Sequence, residues 1–145
     1  MLVRLLPEQI PNHWDFIKES LDETFSYIND KQDYNEVLEN LLIDRMTCWI
    51  IVEDDKIHKV KGIVITTFTK EESFNISGLL IFSFYLFESA GPETIQSSIR
   101  DIKKYGESLG CSEVYAFSHV KSVYKIAKTL GADVKTRRIS FPIGG

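Results

Sequence analysis

Apolar residues in this chain follow a period of two in some stretches and of three to four in others, and the changes of period mark its elements. Leu2–Leu6 is a short strand candidate that Pro7 stops. From Pro11 onward Trp14, Ile17, Leu21, Phe25 and Ile28 recur at helical spacing, with Asp15, Glu19, Asp22 and Glu23 largely off that stripe. After the polar break Asn29–Asp33 a second helix buries Tyr34, Val37, Leu38, Leu41 and Leu42. Thr47–Val52 reads as a strand, and Glu53–Lys56 supplies turn residues. His58–Thr69 is the next strand, with Val60, Gly62, Val64 and Thr66 on one face and Ile63, Ile65 and Thr67 on the other. Gly62 marks a bulge or a close approach of backbone. Lys70–Asn75 turns the chain into Ile76–Phe87, whose run Leu79–Phe87 is apolar except at Ser83.

A short break, Glu88–Pro92, follows that run, and then a helix with Ile95, Ile99, Ile102, Leu109 and either Tyr105 or Gly106 on one stripe. Gly110 ends it, and Cys111–Phe117 is strand-like again. A strand, a glycine-containing turn, a crossover helix and a parallel strand make a βαβ unit. The turn of such a unit suits phosphate-bearing ligands, because the helix N-terminus presents free N–H groups and the positive end of a dipole. A last helix starts at Ser118, turns Val120, Val123, Tyr124, Ala127 and Leu130 inward, and closes at Gly131. Asp133–Phe141 is the final strand. The order β-α-α-β-β-β-α-β-α-β predicts one α/β domain with a mixed sheet, antiparallel at its start and parallel at its centre.

At 145 residues, 43% of them apolar, the chain can bury a core without disulfide or metal support. Its longest apolar run falls well short of the roughly 20 residues of a membrane helix. The N-terminus lacks the features of a signal peptide, so a cytoplasmic location is expected. Cys48 and Cys111 lie in or beside strands and are expected to be reduced and structural. The net charge of −4 conceals a split: residues 1–99 carry 17 acids against 8 bases, whereas residues 100–145 carry 9 bases against 4 acids. The acidic first two helices would attract a cationic amine, or are simply a solvated face. The basic last third lacks interleaved exposed aromatics, which argues against nucleic acid. No spacing of His, Cys, Asp and Glu suggests a metal site, and no Ser-His-Asp order or Walker-type loop is present.

Several phrases carry a resemblance. Trp49-Ile-Ile-Val-Glu-Asp-Asp is followed by Lys61-Gly-Ile-Val-Ile-Thr. Further on, Lys104-Tyr-Gly-Glu-Ser-Leu-Gly-Cys111 leads into Val114-Tyr-Ala-Phe, and Ala127-Lys-Thr-Leu-Gly-Ala132 precedes the last strand. With the element order, they make residues 2–140 resemble the GNAT superfamily of acetyl-CoA-dependent N-acetyltransferases, and most of all the compact GNAT-like proteins of tailed bacteriophages.

The resemblance implies an acetyl transfer from acetyl-CoA to a primary amine of a small molecule or protein. In that scheme the central strand and its neighbour splay apart to admit the pantetheine arm along Tyr85, Leu86 and Phe87. The turn and helix start at Ser89, Ala90, Gly91 and Thr94 hold the pyrophosphate. Ser118, Lys121 and Lys125 are further cofactor candidates, though Ser118 also suits a helix cap. Glu88, or a water it orders, would be the base, and Tyr115 or a water the acid. The sequence departs from the family in two places. The phosphate turn keeps one glycine and gains Pro92, Glu88 and Glu93, and the family's helix tyrosine is replaced by Ala127. These losses motivate an alternative: a catalytically inactive GNAT-fold phage protein with a structural or partner-binding role, in the virion or the host cytoplasm, as a homo-oligomer or with a protein partner.

Overall fold

The computed structural model describes residues 1–26, 34–52, 60–71, 73, 76–87, 91–117, 127–135 and 138–143. Strand β1 (Leu2–Leu5) leads through a 3₁₀ turn into helices α1 (Ile10–Ser26) and α2 (Tyr34–Leu42). Strands β2 (Met46–Val52), β3 (Val60–Glu71) and β4 (Ile76–Leu86) follow, then α3 (Pro92–Ser108) and β5 (Glu113–Phe117). The expected single strand Asp133–Phe141 is two, β6 (Asp133–Lys135) and β7 (Arg138–Pro142), paired antiparallel with each other. Of the expected last helix, residues 127–129 are helical and residues 118–126 lie outside the described set.

These strands form one sheet in the order β1-β2-β3-β4-β5-β7-β6. Pairing is antiparallel from β1 to β4, parallel between β4 and β5, and antiparallel again from β5 to β7. The sheet is mixed because α3 carries the chain from the end of β4 back to the start of β5. No helix among the described residues is long and apolar enough to cross a membrane.

Each face of the sheet has its own core. Ile51, Val64, Leu79, Ile81, Val114 and Ile139 meet Ile102 of α3 on one face, and Ala127 joins them there. Cys48, Ile63 and Ile65 meet Ile10, Ile17 and Leu21 of α1 and Val37 and Leu41 of α2 on the other. The alternation read from β3 is what separates them: Val64 points to α3, Ile63 and Ile65 to α1. Burying each such aliphatic side chain contributes about 1.5–3 kcal/mol, so the two apolar helix stripes hold the layers together.

Two irregularities shape the pairing of β3 with β4. Gly62 lies where a Cβ would come within 2.3 Å of Tyr85 O, so only glycine lets the two strands pair closely at that point. Further along, Ile65 pairs with Ser83 while Thr66 pairs with Ile81, which leaves Phe82 as an extra residue in β4. A bulge of this kind shifts the alternation by one. Before it, Leu79 and Ile81 face α3; after it, Phe84 and Leu86 do. Phe82 and Phe87 pack on the α1 side.

Candidate functional site

The ladder between β4 and β5 holds for three pairs, Gly78–Glu113, Leu79–Val114 and Leu80–Tyr115, and then stops. β4 continues to Leu86, still paired to β3 as far as Gly62, and β5 continues to Phe117, still paired to β7. The two strands thus part along about 20 Å of β4, at 3.2–3.4 Å per residue. On that side residues 81–86 have no strand partner among the described residues. The wedge therefore exposes backbone groups that a sheet would otherwise satisfy.

At the closed end of the wedge sits Tyr115. Its hydroxyl is 2.9 Å from Thr69 Oγ1, and Thr69 Oγ1 donates in turn to Gly78 O at 3.2 Å. The ring lies over Gly78, where a Cβ would be 2.8 Å from its Cε1. Tyr115 thus reaches across β4 to β3, and its hydroxyl lies on the far side of β4 from the opening. Phe117, two residues on, stacks edge-to-face against Tyr115 with centroids 5.9 Å apart and is 62% exposed.

The other lip is aromatic too. Tyr85 packs edge-on to Phe87 at 5.2 Å, and Phe87 packs on Phe16 of α1 at 5.7 Å, with Phe16 57% exposed. Phe82 meets Phe25, which meets Tyr34. Thr24 and the buried Ser83 are linked by a 2.6 Å hydrogen bond that ties α1 to β4 just past the bulge. Along this rim α1 exposes Asp15, Glu19, Asp22 and Glu23. Asp22 accepts a hydrogen bond from the Tyr34 hydroxyl, which raises the Tyr34 pKa, and Lys18 lies over that ring.

At the top of the wedge α3 begins. Gly91 is its N-cap, in extended conformation, and Pro92 occupies the first helical position, where its missing N–H removes one donor. Thr94 N–H and Ile95 N–H both bond to Gly91 O, at 3.1 and 3.4 Å. Nothing lies within 4 Å of where a Cβ on Gly91 would stand. Glu93, in the first turn, brings a carboxylate to the helix N-terminus.

Of the residues singled out in the sequence, Tyr85, Leu86 and Phe87 line one lip, Gly91 and Thr94 the helix start, and Tyr115 the closed end. The backbone of Leu86 faces Gly62 in the β3 register, and Phe87 N–H donates to Lys61 O at 2.8 Å. Glu88, Ser89, Ala90, Ser118, Lys121 and Lys125 lie outside the described residues. Ala127, where the sequence resemblance implies a tyrosine, is buried in the α3-side core. Sequence reasoning missed Phe16, Phe117 and Thr69. Only the exposed Phe16 left a trace, off the apolar stripe of α1. Among the described residues no cluster of His, Cys, Asp and Glu could hold a metal ion.

Solved acetyltransferase structures superpose on nearly the whole chain. Arabidopsis thaliana NAA60 in complex with a bisubstrate analogue does so at a TM-score of 0.68 over 100% of this chain and 98% of that one, at 13% identity. A probable acetyltransferase reaches 0.72 over 94% and 91%, at 11% identity. A predicted acetyltransferase from Clostridium acetobutylicum, solved with acetyl-CoA, reaches 0.67 over 93% and 90%, at 12% identity.

The chain has the GNAT acetyltransferase fold.

In sequence, the chain is 30% identical over 122 residues to the myosin IF heavy chain of Dictyostelium discoideum. That match takes in 84% of this chain but spans only 10% of the length of that relative. No family profile matches the chain. Within the GNAT fold the parted strands are β4 and β5, and the helix that opens beside them is α3.

Proposed function

We propose that this chain is an N-acetyltransferase that uses acetyl-CoA and acts on a primary amine. The early end of the β4–β5 ladder carries the reading, because it frees strand backbone along a route that suits an extended thiol arm. Acetyl-CoA fits the other parts of the wedge unevenly. The open space at Gly91 admits a close approach of phosphate to backbone, whereas Pro92 and Glu93 leave fewer donors and more negative charge there. When bound, the cofactor would supply an acyl group activated as a thioester.

The chain's own residues then have these roles. Tyr85, Leu86 and Phe87 flank the arm, Gly91 and Thr94 border the phosphates, and Ser89, Ala90, Ser118, Lys121 and Lys125 are the remaining contacts assigned from the family pattern. The carboxylates along α1 draw a cationic amine toward the rim. Glu88, or a water it orders, takes the proton that the amine must lose before attack. A water in the wedge returns a proton to the departing thiolate, and Tyr115, held by Thr69, shapes the closed end.

Titration calorimetry with acetyl-CoA, and with free coenzyme A beside it, tests this first. Micromolar binding supports the reading and leads to a screen of amine acceptors by thiol release. No binding at millimolar cofactor overturns it. A second reading, a GNAT-fold protein that binds a protein partner or its own copies without catalysis, is favoured by the sparse donors at Pro92–Ile95 and by Ala127. Its virion-associated form rests on the sequence resemblance. Acetyl transfer to any amine would count against it.

A further inference from the structure

A cavity of about 340 Å³ opens on the α3 side of the sheet, between α3 and β7, away from the β4–β5 wedge. Its floor is apolar: Ile99, Leu130, Phe141 and Ile143. Its rim carries three cations, Arg100, Lys103 and Lys104, against one acid, Glu107. Arg100, the cation nearest the helix start, stands eight residues from Pro92, about 12 Å along the helix from the N-terminus beside the wedge.

The arrangement is built rather than incidental to a solvated face. Gly106 sets the spacing of the groove, since the Ile143 side chain lies 3.1 Å from where its Cβ would be. Ile143 is fixed in turn by its N–H, which donates to Ser112 O at 3.0 Å. Arg100 is three residues from Lys103 and four from Lys104, the separations at which like charges on a helix repel. Among the described residues none of the three is in an ion pair. Ile99, Leu130 and Ile143 remain only half-buried, so the groove keeps apolar surface in contact with water. Clustered like charges and water-exposed apolar side chains are both unfavourable, and one kind of ligand relieves both.

We propose that this groove binds a small amphipathic anion, an acidic head on an apolar body of medium alkyl length. The head lies among Arg100, Lys103 and Lys104, and the body covers Ile99, Leu130, Phe141 and Ile143. A cavity of this size is at the lower end of small-molecule sites, which suits a single medium-chain ligand. Binding here does not depend on acetyl transfer.

The experiment is titration calorimetry of the full chain with decanoate, with decylamine, acetate, inorganic phosphate and coenzyme A as comparisons. Decanoate is expected to bind below millimolar, at least tenfold tighter than acetate, phosphate or decylamine, and more weakly as salt rises. Arg100→Gln with Lys104→Gln should weaken decanoate at least tenfold, whereas Glu107→Gln should tighten it two- to threefold. Thermal midpoints of the variants show that the fold is kept, and Arg100, Lys104 and Glu107 are all exposed. The proposal is overturned if decanoate fails to bind, if decylamine binds as well, or if the variants bind like the parent chain. Stoichiometric displacement of decanoate by coenzyme A would also overturn it, because the groove would then belong to the cofactor's path.

Discussion

Tyr115 occupies space that exists only because residue 78 has no side chain: a Cβ there would lie 2.8 Å from Tyr115 Cε1. The pair fixes where the closed end of the wedge lies, since Tyr115 is also the last β5 residue paired to β4. Gly78→Ala should push the ring aside, break the Thr69 contact and cost about 1–3 kcal/mol by overpacking. Urea unfolding measures it.

Tyr115→Phe separates two roles for the same residue. With the hydroxyl committed to Thr69, the expected result is a stability loss of about 0.5–1.5 kcal/mol and turnover within a few-fold of the parent. A fall in kcat of a hundredfold at unchanged stability would return Tyr115 to the role of acid.

Glu88→Gln is expected to lower turnover by about 10²–10⁴ with little change in acetyl-CoA affinity, as for loss of a general base. Thiol release against amine concentration reads both quantities. Equal turnover in the variant would remove Glu88 from the mechanism.

Glu93→Gln should move two measurements in opposite directions. A carboxylate in the first turn stabilises the helix dipole, so its loss costs about 0.3–1 kcal/mol of stability. The same loss removes a like charge from beside the cofactor's phosphates and should tighten acetyl-CoA two- to fivefold. If affinity does not rise, the phosphates do not sit at this helix start.

Burial pushes the Cys48 thiol from its ordinary 9.0 up to about 12, and the Cys111 thiol upward as well. Below pH 9 the thiol is neutral whether the chain is folded or not, so it leaves stability unaffected by pH. Above pH 9 the unfolded chain can ionise Cys48 while the folded one resists, so stability falls as pH rises from about 9 toward about 12. At pH 8 the folded protein should leave Cys48 unlabelled by a thiol reagent that modifies it rapidly in denaturant.

Most of the fold was legible because period alone separates the elements. The stripe Ile17, Leu21 of α1 and the alternation of Ile63, Val64 and Ile65 in β3 fall on the faces the sequence assigns them. Two features left no trace. Residues 133–141 contain no glycine, proline or asparagine near Thr136 and Arg137, so nothing in them separates β6 from β7. The bulge at Phe82 lies in a run that is apolar on both faces apart from Ser83, so a slip in alternation leaves no repeating polar pattern to reveal it. The candidate site was legible in outline, as a strand, a glycine turn and a helix. The engagement of Tyr115 with Thr69 was not, because it joins residues 46 apart through a contact that no local pattern encodes.

That extra residue in β4 makes the count of positions in Leu79–Phe87 matter as much as their identity. Deleting Phe82 would keep the run apolar and the ladder to β3 continuous. It would also leave Phe84 and Leu86 toward α3 and Phe87 toward α1, because the bulge residue is the one that regular alternation does not count. Substitutions along this run are forgiven to the extent that size and polarity are kept. The loss of a single residue elsewhere in the run, with the bulge kept, turns the end of the strand inside out.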